Sequence, residues 1–341
     1  MQNDITALVT AEHRQAYSVY LDGKTIPAQV AGKFRASAVS RLDFPVVGDS
    51  VAVTLHDNGE QAVINEVLPR KSILLRKEVS GGHDAQPLAA NIDRVFIVMG
   101  LDGNFNTARL ERLLVAARDS NAAPAVILTK KDLCPEAELA EKTAAAARCA
   151  PGAEIICVCA VSGEGMESVI RLLGSGAACF AGSSGAGKST IINRLCGYEA
   201  AATRPVREDD SRGRHTTVAR QLYILPNGAR IIDTPGIREF GLECAEGGLG
   251  ASFPDIEELA AQCRFGNCSH DTEPGCAVKE AISGGRLPPA RLKNYLKMQR
   301  EMFHGQAKHD AKKRMLANRQ SRAFARRCRG VLEAKRRLRG G

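Results

Sequence analysis

The sequence predicts a multidomain chain: a small N-terminal β-barrel or sandwich, a central doubly wound α/β domain, and a C-terminal Cys/His cluster with helices. Three observations carry this. Short strand-like runs separated by turn dipeptides fill residues 1–88. Continuous apolar runs alternate with amphipathic stretches over 89–243. Three cysteines gather around one histidine within 244–305, and a basic arm, 306–341, follows.

In the first region Asp22-Gly23 and Asn58-Gly59 are two-residue hairpin signals. Between them Val46–Leu55 alternates in its second half, as a half-buried strand does, and Ile73-Leu74-Leu75 follows Pro69. Strands this short and closely spaced suggest a barrel or sandwich, the oligonucleotide-binding barrel being one option. Gly81-Gly82 and His83–Pro87 read as a loop or linker.

From Asn91 the rhythm changes. Val95–Met99, Ala125–Leu128, Ile155–Val158 and Ala177–Ala181 are apolar runs suited to strands covered on both faces. Thr107–Asp119, Glu136–Arg148 and Met166–Leu173 between them have helical periodicity. Such alternation builds a parallel sheet whose ligands bind beyond the carboxyl ends of its strands. After about Leu242 the pattern fades, and helices are expected near Ala277–Ser283 and from Pro288-Pro289.

Gly182-Ser183-Ser184-Gly185-Ala186-Gly187-Lys188-Ser189 fits G-x-x-x-x-G-K-[ST] between a strand and a helical run starting at Thr190. The glycines let backbone N–H groups turn toward phosphate oxygens, and the helix adds the positive end of its dipole. Lys188 is expected on the β/γ-phosphates and Ser189 on Mg²⁺. Asp233-Thr234-Pro235-Gly236 follows Ile231-Ile232, which places Asp233 to hold Mg²⁺ through water and Gly236 to meet a γ-phosphate.

Base choice is expected from Thr129-Lys130-Lys131-Asp132, which resembles the N-K-x-D guanine motif. Asp132 can accept from both N1–H and the 2-amino group of guanine, and adenine offers neither. Lys130 covers the base plane, and Cys159-Ala160 takes the place of the usual Ser-Ala. The base motif and its companion precede the phosphate loop, the reverse of the ordinary GTPase order, which implies a circular permutation. The segment responding to the γ-phosphate then leads directly into the C-terminal region. Arg212–Thr217 reads as a first switch, with Thr216 or Thr217 on Mg²⁺. Ile237 stands where many GTPases carry a water-orienting Gln, so His215 becomes the candidate catalytic residue, equally readable as an exposed loop histidine.

Cys263-x₄-Cys268-x-His270-x₅-Cys276 offers three thiolates and one imidazole, a set suited to one structural Zn²⁺. Most of the eleven cysteines otherwise sit singly in apolar runs, which suits reduced thiols rather than a disulfide framework. The net charge is +9, yet residues 286–341 hold 18 Lys and Arg against three acids, leaving the preceding 285 residues at −6. A basic arm on an acidic body suggests a polyanionic partner. The absence of Trp and the 4% aromatic content argue against an aromatic platform as the main binding device. No signal peptide is read at Met1-Gln2-Asn3-Asp4 and no membrane span anywhere, so a soluble intracellular protein is expected.

Together these residues resemble the RsgA family, circularly permuted GTPases that assist small ribosomal subunit biogenesis. The resemblance also covers Val67-Leu68-Pro69-Arg70-Lys71-Ser72, Asn91-Ile92-Asp93, Gly213–Thr217, Glu273-Pro274-Gly275-Cys276 and Tyr295. Thr129 for Asn and Cys159 for Ser are departures. The resemblance implies an N-terminal OB-type β-barrel (1–88) that binds RNA, a permuted GTPase domain (89–243), a zinc-binding domain (244–305) and a basic C-terminal arm (306–341). It also implies docking on the small ribosomal subunit and its rRNA, and ribosome-stimulated GTP hydrolysis that times release late in maturation. A cytoplasmic monomer without a membrane partner is expected. The alternatives are an RNA-binding assembly factor in which GTP is mainly structural, and a P-loop ATPase on nucleic acid, which Asp132 disfavours.

Overall fold

The structure, a computed structural model, describes residues 5–13, 16–76, 86–201, 220–233 and 247–303. Strands β1 (Ile5–His13), β2 (Ala16–Leu21), β3 (Lys24–Val30), β4 (Ser50–His56) and β5 (Gln61–Val67) run in the order β1-β2-β3-β5-β4. β4 pairs back onto β1, which closes a five-stranded barrel of the expected OB type, with α1 (Gly32–Ser37) between β3 and β4. Alternate residues Val9, Val19, Val51, Val53 and Ile64 fill its core. Asp22-Gly23 makes the β2–β3 turn with both φ angles positive, and Asn58-Gly59 lies in the turn between β4 and β5.

The alternating second half of Val46–Leu55 lies in β4 as expected, and the first half, Val46–Asp49, is a turn. The Val46 N–H donates to Asp49 Oδ2 at 2.8 Å, and Arg70 grips the same carboxylate through Nε (2.8 Å) and Nη2 (2.7 Å). Arg70 also reaches the carbonyls of Leu42 (2.6 Å) and Phe44 (2.8 Å). Asp49 is fully buried. Arg70→Ala leaves that carboxylate uncompensated and is expected to destabilise the chain by about 3–5 kcal/mol, measurable by denaturant unfolding.

The segment after the barrel works in the same structural way. Asn91, at φ +54°, accepts from the Lys71 N–H (3.0 Å) and donates to Gly48 O (3.0 Å). Ser72 Oγ donates to Ile92 O at 2.6 Å, and Asp93 accepts from the Ala177 N–H at 2.7 Å. Residues 70–72 and 91–93 therefore latch the barrel exit to the central sheet. Between them β6 (Ile73–Arg76) and β7 (Gln86–Ala90) form a two-stranded sheet. Gln86 and Pro87, expected in a loop, pair with Arg76 and Leu75 beside a register irregularity. An irregular ladder accommodates a residue without an N–H.

The central sheet contains β8 (Arg94–Gly100), β9 (Ala123–Thr129), β10 (Glu154–Cys157), β11 (Ala177–Ala181), β12 (Arg220–Ile224) and β13 (Arg230–Asp233), in the order β10-β9-β8-β11-β13-β12. All pairs are parallel except β12–β13. Helices α2 (Thr107–Asp119), α3 (Glu136–Cys149), α4 (Met166–Leu173) and α5 (Lys188–Cys196) cover it. The chain proceeds from β8 through β9 to β10, then returns to lay β11 on the other side of β8. That reversal opens a crevice at the carboxyl ends of β8 and β11. β12 pairs on its other edge with β1, Ala11 opposite Gln221, so one eleven-stranded sheet runs through both domains.

Helices α6 (Gly248–Ser252), α7 (Pro254–Ala260), α8 (Ala277–Ser283) and a run over 289–303 pack on α2. At their junction Arg291 is 8% exposed. It donates to Glu111 (2.7 Å) and bidentately to Asp255 (2.7 and 2.8 Å), with its guanidinium 4.6 Å from the Phe253 ring centre. Phe253, Ile256, Tyr295 and Met298 join Leu110, Leu114 and Val126 in one apolar cluster. The C-terminal helices thus share the core of the central domain. Among the described residues no helix is long and apolar enough to cross a membrane, and none of the nine described cysteines is in a disulfide.

Candidate nucleotide site and metal centre

The phosphate loop rises from β11, whose five residues are all buried. Gly182 takes φ +153°, and a Cβ there would stand 2.3 Å from Val98 O, so the loop's first turn requires glycine. Gly187 takes φ +96° and ends the loop against the Thr129 side chain. α5 then begins at Lys188 with no side-chain cap and no acid in its first turn, which leaves its leading amides to an anion. Lys188 Nζ donates to the loop's own Gly182 O (2.8 Å) and Ser183 O (2.6 Å), so its charge sits within the cradle. At the end of β13, burial pushes the Asp233 carboxyl above its ordinary value, against the opposing pull of the Lys188 ammonium. A desolvated carboxylate beside a phosphate cradle suits a divalent cation.

Three loops are tied together around this cradle. Thr129, 1% exposed at the end of β9, donates its hydroxyl to Ala186 O at 2.6 Å. The Thr in place of Asn therefore still tethers the base motif to the phosphate loop. Lys130, in the left-handed region at φ +60°, places Nζ 2.5 Å from Asp102 Oδ2. Burial raises the Asp102 carboxyl, but the Lys130 ammonium and the Asn104 N–H outweigh it and hold it below the usual range. Lys131 pairs with Glu164 of the companion loop. Cys159 and Ala160 are buried there, and the Cys159 N–H donates to Glu164 O at 3.0 Å. From α5, Arg194 donates to Val161 O (3.2 Å) and Ser162 O (3.0 Å) of that loop. Asp132 is exposed at the rim, on the short helical turn Lys131–Leu133.

The structure thus brings together Thr129–Asp132, Cys159-Ala160, Gly182–Thr190 and Asp233 at one end of the sheet. His215, Thr216, Thr217 and Gly236 lie outside the described residues, as does the arm from 304 onward. Residues that the motifs did not reveal also shape the site. Asn104 Nδ2 donates to Ser183 Oγ at 2.9 Å, and Arg109 holds the Asn104 side-chain oxygen at 2.8 Å. Asp102 and Asn104 follow the carboxyl end of β8, where an open parallel sheet places its ligands, and that position was the available signal.

In the C-terminal region Cys263, Cys268, His270 and Cys276 put their ligand atoms within 4.8 Å of one another. Cys263 Sγ lies 3.9 Å from Cys276 Sγ, and His270 Nδ1 lies 3.6 and 3.5 Å from those two sulfurs. Tetrahedral Zn²⁺ with its ordinary bond lengths sets sulfurs about 3.8 Å apart and sulfur and nitrogen about 3.5 Å apart. The set fits that ion and fills its shell. Glu273 organises the ligand turn, accepting from Ser269 N–H (2.9 Å), Ser269 Oγ (2.5 Å), Asp271 N–H (3.2 Å) and Thr272 N–H (3.2 Å). These donors, the Ser269 hydroxyl foremost, pull its carboxyl down to about 2. Glu273→Ala is expected to weaken zinc binding roughly 10- to 100-fold, read by competition with a chromogenic chelator.

A P-loop before α5, with a base loop and companion loop upstream of it, defines a circularly permuted P-loop GTPase, and its C-terminal region carries a Cys/His cluster that could hold a metal ion. A family model described as RsgA GTPase matches residues 67–243. "Small ribosomal subunit biogenesis GTPase RsgA 2" of Lactiplantibacillus plantarum is 44% identical over 301 residues, 88% of this chain and 84% of that protein. The protein of the same name from Vibrio parahaemolyticus is 38% identical over 339 residues, covering 98% and 88% respectively. Among solved structures, YjeQ from Thermotoga maritima superposes with a TM-score of 0.65 at 27% identity, over 87% of this chain and 98% of its own. YloQ, described as a circularly permuted GTPase, gives a TM-score of 0.63 at 23% identity over 89% and 96%, a likeness of fold. The chain belongs to the RsgA GTPase family and is a GTP hydrolase.

Proposed function

We propose that this chain is a ribosome-stimulated GTPase that binds the small ribosomal subunit through its rRNA late in maturation, with hydrolysis timing its release. The observation that carries the reading is the single site made of guanine-type, companion and phosphate loops, in a chain whose relatives are named for small ribosomal subunit biogenesis. Thr129–Asp132 and Cys159-Ala160 hold the guanine. Gly182–Thr190 and Gly236 take the phosphates. Ser189, Thr216 or Thr217, and Asp233 through water hold Mg²⁺, which neutralises charge on the phosphates. Cys263, Cys268, His270 and Cys276 hold one structural Zn²⁺. The barrel (1–88), the GTPase domain (89–243), the zinc-binding domain (244–305) and the arm (306–341) divide these tasks in a cytoplasmic monomer.

Turnover of GTP, with ATP as control, measured with and without purified small subunits at two salt concentrations, tests the proposal. Low intrinsic turnover that rises strongly with subunits and falls at high salt is expected, because Lys and Arg on rRNA phosphates displace counterions. Subunit binding without stimulation would instead favour an assembly factor in which GTP is structural. His215 is assigned the attacking water. His215→Ala is expected to lower stimulated turnover about 10²- to 10⁴-fold while GTP affinity holds, and unchanged turnover would remove the assignment.

A further inference from the structure

We propose that a cleft at the joint between the barrel and the central sheet binds one unpaired base of single-stranded RNA by stacking. This rests on the RNA-binding reading above and gives that binding a place. The cleft has a volume of about 350 Å³, within the range of small-molecule sites. Three of the five tyrosines in the chain, Tyr20, Tyr198 and Tyr223, line it, against an overall aromatic content of 4%. Their positions follow from strand parity. Tyr17 and Val19 point into the barrel core, so Ser18 and Tyr20 face outward, toward β12. Tyr223 is held by its hydroxyl, which donates to Ala200 O at 2.8 Å, whereas Tyr198, just past the end of α5, is 61% exposed.

The remaining polar lining is His13 with Thr10, Ser18, Thr25 and Gln221, which offer an imidazole, hydroxyls and an amide, with no carboxylate, lysine or arginine among the lining residues. That chemistry matches the face and edge of a nucleobase and does not match a phosphate, which calls for cations. A single-stranded chain crossing the outer face of the barrel reaches this cleft without leaving the sheet. Gln221 pairs with Ala11 of the barrel on one side and with Asp233 on the other. An occupied cleft therefore bears on the strand that separates the barrel from the carboxylate assigned to Mg²⁺.

The test uses the full chain and a short unstructured RNA carrying one 2-aminopurine, whose emission falls on stacking, with anisotropy of an end label reporting total RNA binding. The native chain is expected to quench the single strand and spare the same base in a duplex. Tyr198→Ala and Tyr20→Ala are expected to raise the RNA concentration needed for quenching about ten-fold or more, with unaltered thermal unfolding, and Tyr198→Phe to retain quenching. Anisotropy change with no quenching, or quenching that neither alanine variant alters, would overturn the cleft assignment and leave RNA binding standing. No anisotropy change with any RNA would overturn both.

Discussion

Asp132→Asn is expected to lower GTP affinity on the order of 10²- to 10⁴-fold and to turn the preference of the chain toward xanthosine triphosphate. In the proposed site the carboxylate would accept two hydrogen bonds from guanine, and a hydrogen bond to a charged group contributes about 1.5–3 kcal/mol. An Asn amide keeps one acceptor for N1–H but turns an N–H donor toward the 2-amino group, leaving two donors face to face. Xanthine carries a 2-oxo group there and restores the pair. The substitution should spare the fold, because Asp132 is exposed, whereas neighbouring Thr129 and Lys130 are committed to Ala186 and Asp102. Binding of fluorescent GTP and xanthosine triphosphate to the variant checks this. Undiminished GTP binding would mean that another group reads the base.

Chelating the metal, or replacing Cys263 by Ser, is expected to abolish the order of the ligand segment while leaving the GTPase core folded. Four-ligand zinc sites supply apparent binding energies of about 10–16 kcal/mol at neutral pH, energy that short segments use to fold. The segment between α7 and α8 is mostly exposed or half-buried and has few apolar contacts of its own. The helix over 289–303 has another anchor, since Arg291 holds both Glu111 of α2 and Asp255 of α7. Hydrogen exchange after chelation should therefore show lost protection over about 261–278 and retained protection in α2 and 289–303. Chelation without any change at 261–278 would refute a folding role for the metal.

Which features were legible in the sequence follows from how local their causes are. The central strands announce themselves because each is a run of apolar residues buried on both faces, as in Val95–Met99. The phosphate loop is legible because its whole pattern falls on eight consecutive residues, Gly182–Ser189, although the carbonyl that demands glycine at 182 belongs to distant Val98. The four candidate metal ligands lie within fourteen residues of one another. What stayed hidden depends on partners far away in sequence. Asn104 gains its meaning only from Ser183, and Asp49 only from Arg70. Low aromatic content, an average over the whole chain, concealed three tyrosines gathered from two domains. Arg70, Ser72 and Asn91, which helped to identify the family, are fasteners of the interdomain joint.

The pairing of β1 with β12 also bears on how the chain is made. The partner of Ala11 is Gln221, so 210 residues separate the two halves of that ladder. At a synthesis rate of about 5–20 residues per second, roughly 10 to 40 s pass before β12 can join β1. Through that interval the nascent barrel carries an unpaired edge at Ala11-Glu12, a template for wrong pairing between neighbouring nascent chains. Quality of manufacture, as well as final stability, therefore depends on how promptly the second half of the chain arrives.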